Sequence, residues 1–405
     1  MHIPITRRDT VIEDYHGSPV ADPYRWLEDA TSAEAQVWGE AQHALTQAYL
    51  EEIPVRERIQ QRLTTLFDYP KYSVPRRRGD RYYFSKNDGL QNQSVLYMQH
   101  TLSSEASVVL DPNTFSQDGT IALTNQSFTK DGMLLAYGTS RGGSDWQEIR
   151  VRNVDRGTDY DEVIQWVKFT SIAWRDDNHG FYYNRFPEPG SVPEEDSTCY
   201  NKVYWHMLGT LQAEDKLIFE RPDAKELSFD PFITEDGKYL LLNVWHGTDP
   251  KNRIYYREVT DEEPFIRLLD EADASYNFIG NDGPLFYFNT DLDAPRGRII
   301  AIDIRHPERA RWQELVPQQD DVLAFALIVN SQFVVAYMHD AHHQIRRYSK
   351  DGCYLGDIAL PTLGSVVEVS GKPEHTELFL SFTSFLYPPT IYRYDFNTNT
   401  LTPLH

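Results

Sequence analysis

One pattern constrains this chain more than any other. From about Arg81 onward, short runs of Tyr, Phe, Val and Ile recur between turns built from Gly, Asp, Asn and Pro. The runs fall into seven loose copies. In the first, Tyr82-Tyr83-Phe84 leads to Val95-Leu96-Tyr97; in the second, Ser127-Phe128 passes through Asp131-Gly132 to Leu134-Leu135-Ala136-Tyr137 and Ile149-Arg150-Val151. The third joins Ser171-Ile172-Ala173-Trp174 to Gly180-Phe181-Tyr182-Tyr183 and Lys202-Val203-Tyr204, and the fourth joins Phe232-Ile233 to Tyr239-Leu240-Leu241-Leu242 and Arg253-Ile254-Tyr255-Tyr256. The last three centre on Leu285-Phe286-Tyr287-Phe288, Phe333-Val334-Val335-Ala336 and Leu378-Phe379-Leu380-Ser381. Each copy reads as a strand, a turn, an inner strand, a polar loop and an outer strand, at a spacing of roughly 45–60 residues that suits propeller blades. A small sheet cannot bury both faces alone, so the copies must stack around an axis and close a ring. A β-sandwich would want fewer strands than the roughly 25–28 implied. The expectation is an all-β fold, a seven-bladed β-propeller whose inner strands carry Tyr137, Tyr183, Leu241 and Val335 against neighbouring blades.

The first part of the chain has a different period. Thr31 and Glu34 are spaced as a capping box, followed by Ala35, Val37, Trp38, Ala41, Leu45, Ala48 and Tyr49 as a mixed helical stripe. A second helix is expected with Pro54 in its first turn and Ile59, Leu63, Leu66 and Phe67 on its apolar side, stopped by Asp68-Tyr69-Pro70. The predicted organisation is a short α-helical segment over residues 1–72 followed by the propeller over 73–405.

Charge narrows the partners. A formal net charge of −22 argues against nucleic acid and anionic membrane, since phosphate binding needs clustered Lys and Arg. The basic run Arg76-Arg77-Arg78 reads as a solvated loop. No stretch of about 18 apolar residues offers a membrane span, and the polar start from Met1 to Asp9 lacks the apolar core of a secretory signal, which points to the cytoplasm. Cys199 and Cys353 have no CxxC spacing and read as free thiols.

The chemistry-bearing patterns are incomplete. Gly142-Gly143-Ser144-Asp145-Trp146 approaches the G-x-S-x-G nucleophile elbow, but Trp146 stands at the closing glycine and a strand follows where the elbow needs a helix. His339, His342 and His343 lie close in sequence without a ligand set, so no metal site is expected. No Gly-rich loop precedes a helix to cradle phosphate, and no cofactor is implied.

Several longer motifs carry a family resemblance. Asp14-Tyr15-His16-Gly17, Asp22-Pro23-Tyr24-Arg25-Trp26-Leu27-Glu28-Asp29, Asp68-Tyr69-Pro70-Lys71-Tyr72-Ser73, Gly89-Leu90-Gln91-Asn92-Gln93, Gly142-Gly143-Ser144-Asp145-Trp146 and Phe382-Thr383-Ser384-Phe385-Leu386 occur in the order found in the prolyl oligopeptidase (prolyl endopeptidase) family, and the chain resembles its N-terminal half throughout. The resemblance implies a seven-bladed propeller that covers the active site of an α/β-hydrolase domain and admits short proline-containing peptides. In the family the catalytic serine, aspartate and histidine lie in the hydrolase part that follows the propeller, so this chain by itself is expected to have no catalytic residues and no peptidase activity. Phe169 matches an aromatic position facing the substrate's N-terminal side; an ordinary blade-core aromatic is the competing reading. Trp245 and Thr248 fall where the best-known members carry a peptide-contacting arginine and a cysteine, so their substrate-binding roles are carried over with changed chemistry.

Two functions follow. The chain is the substrate-gating propeller of a proline-specific serine endopeptidase, with its hydrolase domain supplied elsewhere, in trans among other ways; or it is a free-standing propeller that binds peptides or proteins. Retention of Trp26, Leu27, Trp38 and Phe67, which in the family pack on the hydrolase domain, favours the first. Val37, Trp38, Ala41, Leu45, Ile59, Leu63 and Phe67 are expected to lie on mobile helices or to form an exposed apolar patch.

Overall fold

The computed structural model describes residues 3–30 and 32–404. Met1–Tyr69 and Pro70–His405 form separate compact units.

The first unit begins with a hairpin, Ile12–Tyr15 and Ser18–Ala21. Its two-residue turn, His16-Gly17, has both φ angles positive, at 56° and 86°, the geometry that matches the twist of paired strands. A single helical turn, Arg25–Leu27, then presents the Trp26 indole N–H to the carbonyl of Arg7 at 3.1 Å. Helix α1 covers Ala33–Glu51 and helix α2 Arg56–Phe67. Thr31, the expected cap, lies outside the described residues; Ser32 is the N-cap, its hydroxyl accepting from the Ala35 N–H. Helix α2 starts later than expected, because Ile53 to Arg56 close a turn of their own and leave Pro54 ahead of the helix. Val37, Ile59, Leu63, Leu66 and Phe67 are exposed, whereas Trp26, Leu27 and Trp38 are half-buried.

The second unit is a ring of seven antiparallel sheets, six of four strands and one of five among the described residues. Blade 1 holds Lys71–Tyr72, Arg81–Asn87, Val95–Gln99 and Ser107–Leu110, with Arg76–Arg78 added beside the second of these. The basic run therefore lies in a paired strand, and the expected solvated loop is corrected. Blades 2 to 7 each follow a simple meander, their first strands being Ile121–Phe128, Ile172–Trp174, Leu227–Ile233, Tyr276–Asp282, Val322–Val329 and Ser365–Ser370. First strands of adjacent blades approach one another, so they line the axis. The segments with Tyr137, Tyr183, Leu241 and Val335 are second strands, one step further out than expected, though all four side chains are buried at blade seams.

Two local devices recur. In blades 2 and 4 the turn between first and second strands is closed by a threonine hydroxyl on an aspartate two residues later, Thr129 to Asp131 at 2.7 Å and Thr234 to Asp236 at 2.6 Å. Gly132 follows with φ +78°, and a Cβ there would lie 2.9 Å from the Tyr83 hydroxyl of blade 1, so glycine is required twice over. The second device satisfies buried phenols: Tyr137 donates to Asp159 at 3.1 Å, Tyr183 to Asp215 at 2.7 Å and Tyr287 to Asp282 at 2.7 Å. The ring is thereby buried while its polar tip keeps a partner. In blade 3 the fully buried His206 takes the other oxygen of Asp215, at 2.7 Å.

Each blade is one contiguous stretch of chain, so no strand is shared between the first and last. Their apolar seam is thin: three buried side chains, Val74, Phe379 and Ile391, where the seam between blades 6 and 7 has twelve. Carboxylates reinforce it. Glu377, 4% exposed, accepts from Tyr82 at 2.6 Å and from Arg393 at 2.8 Å, and Glu368 accepts from the Val74 N–H at 3.1 Å. Burial, followed by the Glu377 carboxylate, pushes the Tyr82 phenol up to about 12. Replacing Glu377 by alanine strands Tyr82 and Arg393, and should lower the unfolding free energy in a urea titration by ~3 kcal/mol; a loss below ~0.5 kcal/mol, typical of a surface pair, would show that this carboxylate does not hold the ring shut.

Candidate peptide-binding face

Antiparallel meanders put the blade-to-blade connections and the turns between second and third strands at one end of the ring, here termed the loop end. Phe169, in the connection from blade 2 to blade 3, and Trp245 and Thr248, at the end of the second strand of blade 4 and in the turn after it, all belong to this end. They lie on adjacent blades, and Phe169 and Thr248 are both exposed. Phe169 is 52% exposed, which removes the blade-core reading.

Phe169 has a left-handed backbone, φ +48°, and so does Trp166, φ +60°. Such conformations cost a bulky residue about 1–3 kcal/mol and persist where surrounding contacts over-determine them. The contacts are present. Asn184, fully buried on the second strand of blade 3, donates to the Phe169 carbonyl at 3.3 Å and accepts from the Ser171 N–H at 2.9 Å and the Thr170 hydroxyl at 3.1 Å. Asn125 of blade 2 holds the Thr170 carbonyl at 2.7 Å. On the other side Lys168 turns inward, its ammonium 4.3 Å from the Trp146 ring centre and 5.0 Å from that of Phe186, and donates to the Ser197 carbonyl at 3.1 Å. Burial lowers its pKa below the ordinary lysine value. This one side chain links three loop-end segments and leaves Phe169 facing outward.

In blade 4, Asp230 pairs with Asn243 and Ser228 with Trp245 across the first two strands, so the four side chains share one face. Asn252 donates to the Asn243 carbonyl oxygen at 2.6 Å and is itself fixed by both backbone groups of Tyr276 in blade 5, at 2.7 and 2.9 Å. Trp245 is half-buried, and its indole N–H has no hydrogen-bond partner among the described residues. Burial raises the Asp230 carboxyl to about 6, with Asn243 and Trp245 only partly offsetting it.

The remaining sequence candidates resolve simply. Ser144 sits in a two-glycine turn between strands, its hydroxyl accepting from the Trp146 N–H at 3.1 Å, and no histidine lines the adjoining cavity among the described residues. His339 pairs with Asp321 at 2.8 Å, and His343 accepts from the Val366 N–H at 2.9 Å. Cys199 is buried and Cys353 exposed, both unbridged. Sequence reasoning missed Lys168, Asn184 and Asp230. The available signal was a polar residue at or inside an apolar run, as in Leu227-Ser228-Phe229-Asp230-Pro231-Phe232-Ile233.

Asp230 gives a pH test. A carboxyl raised in the folded state binds protons that the unfolded chain releases, so stability increases as pH falls through the window between about 6 and the ordinary value of 3.8. Asp230→Asn should therefore stabilise the chain at pH 8 by ~2 kcal/mol, a gain that vanishes by about pH 3, below both pKa values. Denaturant titrations at the two pH values check this; equal effects at both would mean that Asp230 is not held in an unfavourable charged state.

Known proteins place this geometry in context. The family model for the prolyl oligopeptidase N-terminal β-propeller domain matches residues 4–405. A prolyl endopeptidase of Elizabethkingia meningoseptica is 35% identical over 397 residues, covering 98% of this chain and 56% of the relative. A dual function macrocyclase-peptidase of Amanita bisporigera is 32% identical, covering 97% of this chain and 58% of the relative. A solved structure from a mechanistic analysis of two prolyl endopeptidases superposes with a TM-score of 0.91 at 30% identity, covering 99% of this chain and 59% of that one. Prolyl oligopeptidase B of Galerina marginata, bound to a 25-residue macrocyclization substrate, superposes at 0.87 with 30% identity, over 99% of this chain and 60% of its own. The chain thus spans somewhat more than half the length of the relatives it matches. With the family model matched from residue 4 to residue 405 and seven blades in the structure, the chain belongs to the prolyl oligopeptidase family, as its N-terminal β-propeller part.

Proposed function

We propose that this propeller is the substrate-gating part of a proline-specific serine endopeptidase, and that it acts on short proline-containing peptides together with a C-terminal α/β-hydrolase domain that supplies the nucleophile. The observation that carries the reading is Phe169: an exposed aromatic held in a left-handed conformation by Asn184, Asn125 and Lys168, at the loop end of the ring. A fold does not maintain such a residue for packing when its ring is in water; the strain points to a ligand. Trp245 and Thr248 extend the same end as further peptide contacts. The exposed apolar residues of α1 and α2 are what a hydrolase partner would cover. Two unbridged cysteines agree with a reducing, cytoplasmic setting.

The test uses the whole chain and a benzyloxycarbonyl-Gly-Pro reporter. Alone, the chain should neither release the reporter nor react with a fluorophosphonate probe. Mixed with the hydrolase part of the Elizabethkingia meningoseptica enzyme, it should restore turnover, and Phe169→Ala should reduce that turnover by ~10-fold, the scale of one lost aromatic contact. Turnover by the chain alone that disappears on mutating one of its own serines would overturn the division of labour. A propeller that restores nothing and binds no proline peptide would favour a free-standing binding module.

A further inference from the structure

We propose that the Asp230 carboxylate and the Trp245 indole form a subsite for a cationic group, a lysine or arginine side chain or a free amino terminus, on a peptide bound at the loop end. The proposal rests on the reading that peptides bind there and adds a charge preference to it.

The register puts Asp230 and Trp245 on the same face of the blade 4 hairpin, one pair apart along the strands. Asp230 belongs to an axis-lining strand and stays partly accessible. Asn252 anchors Asn243 through its carbonyl oxygen, which leaves the Asn243 amide N–H groups to serve Asp230. That bond fixes the carboxylate without neutralising it. Among the described residues Asp230 has no ion-pair partner. Carboxylates at the opposite end of the ring are treated otherwise: Glu235 pairs with Lys372, Asp282 with Lys350, and Asp176 with Lys130. The Trp245 indole N–H is buried on the same face, and what it and Asn243 give Asp230 only partly offsets the cost of burial.

A half-buried carboxylate that makes no ion pair among the described residues and shares a strand face with an aromatic ring is suited to an ammonium or guanidinium. The charge-assisted hydrogen bond goes to the carboxylate, and the ring quadrupole attracts the same cation. An anionic ligand would be repelled, and a neutral one would leave the carboxylate as poorly compensated as before. The overall charge of −22 adds a long-range pull in the same direction.

The experiment compares two N-acetylated, C-amidated proline peptides that differ only in lysine against norleucine on the N-terminal side of the proline, titrated into the whole chain by calorimetry at pH 7.5. The lysine peptide should bind the native chain ~10-fold more tightly, as for one charge-assisted hydrogen bond. Asp230→Asn should erase the difference by weakening the lysine peptide alone. Trp245→Phe, which keeps a ring, should retain most of the preference. Equal affinities for the native chain, or a preference that survives in Asp230→Asn, would overturn the subsite and leave peptide binding standing. Binding of neither peptide would overturn both.

Discussion

Ring closure is the constraint on which this structure depends. A propeller buries the faces of its sheets only when every blade has two neighbours, and here the last neighbour is won without a shared strand. The seam between blades 7 and 1 has the thinnest apolar packing of the ring, and carboxylates take up the difference, the buried Glu377 from blade 7 holding Tyr82 of blade 1 and the half-buried Glu368 holding the Val74 backbone. Directional bonds of this kind fix register as well as proximity. At the other seams apolar packing is broader, and several phenols there are satisfied within their own blade, as with Tyr137 and Asp159, while Tyr83 of blade 1 donates across to the Gly132 carbonyl of blade 2.

A rigid ring is what allows the loop end to hold unfavourable arrangements. The backbone at Phe169 is strained, and among the described residues neither the buried Lys168 nor the half-buried Asp230 makes an ion pair. Each sits beside a fully formed blade that supplies its supports, chiefly Asn184 in blade 3 and Asn252 in blade 4. At the opposite end carboxylates are paired between blades, Lys372 of blade 7 with Glu235 of blade 4.

Much of this was legible in the sequence. The seven copies indicated seven blades because the pattern of short apolar runs and Asp-Gly turns has a period too long for a sandwich hairpin. Three things were not legible. Strands as short as Lys71–Tyr72 and Ile172–Trp174 are too brief to show alternation. Arg76-Arg77-Arg78 looked solvated because composition does not reveal that Glu368 and Glu377, some 290 residues away, meet it at the seam. The order of strands from the axis outward was misjudged because the second strands are the most apolar, and burial in a blade peaks at the middle of the sheet rather than at the axis. Asp230 and Lys168 went unnoticed for a related reason: their burial depends on blades and loops distant in sequence.

The absence of a shared strand has a consequence for how the chain is made. A ring clasped by pairing its first strand into the last blade must keep that strand waiting until the end of synthesis. Here blade 1 completes its own sheet as soon as Leu110 has emerged, and each later blade can dock on a finished predecessor, in the N-terminal-first order in which domains fold on the ribosome. No nascent edge is left reserved for a distant partner, so the interval in which an unpaired strand invites aggregation is set by the length of one blade and not by the length of the propeller.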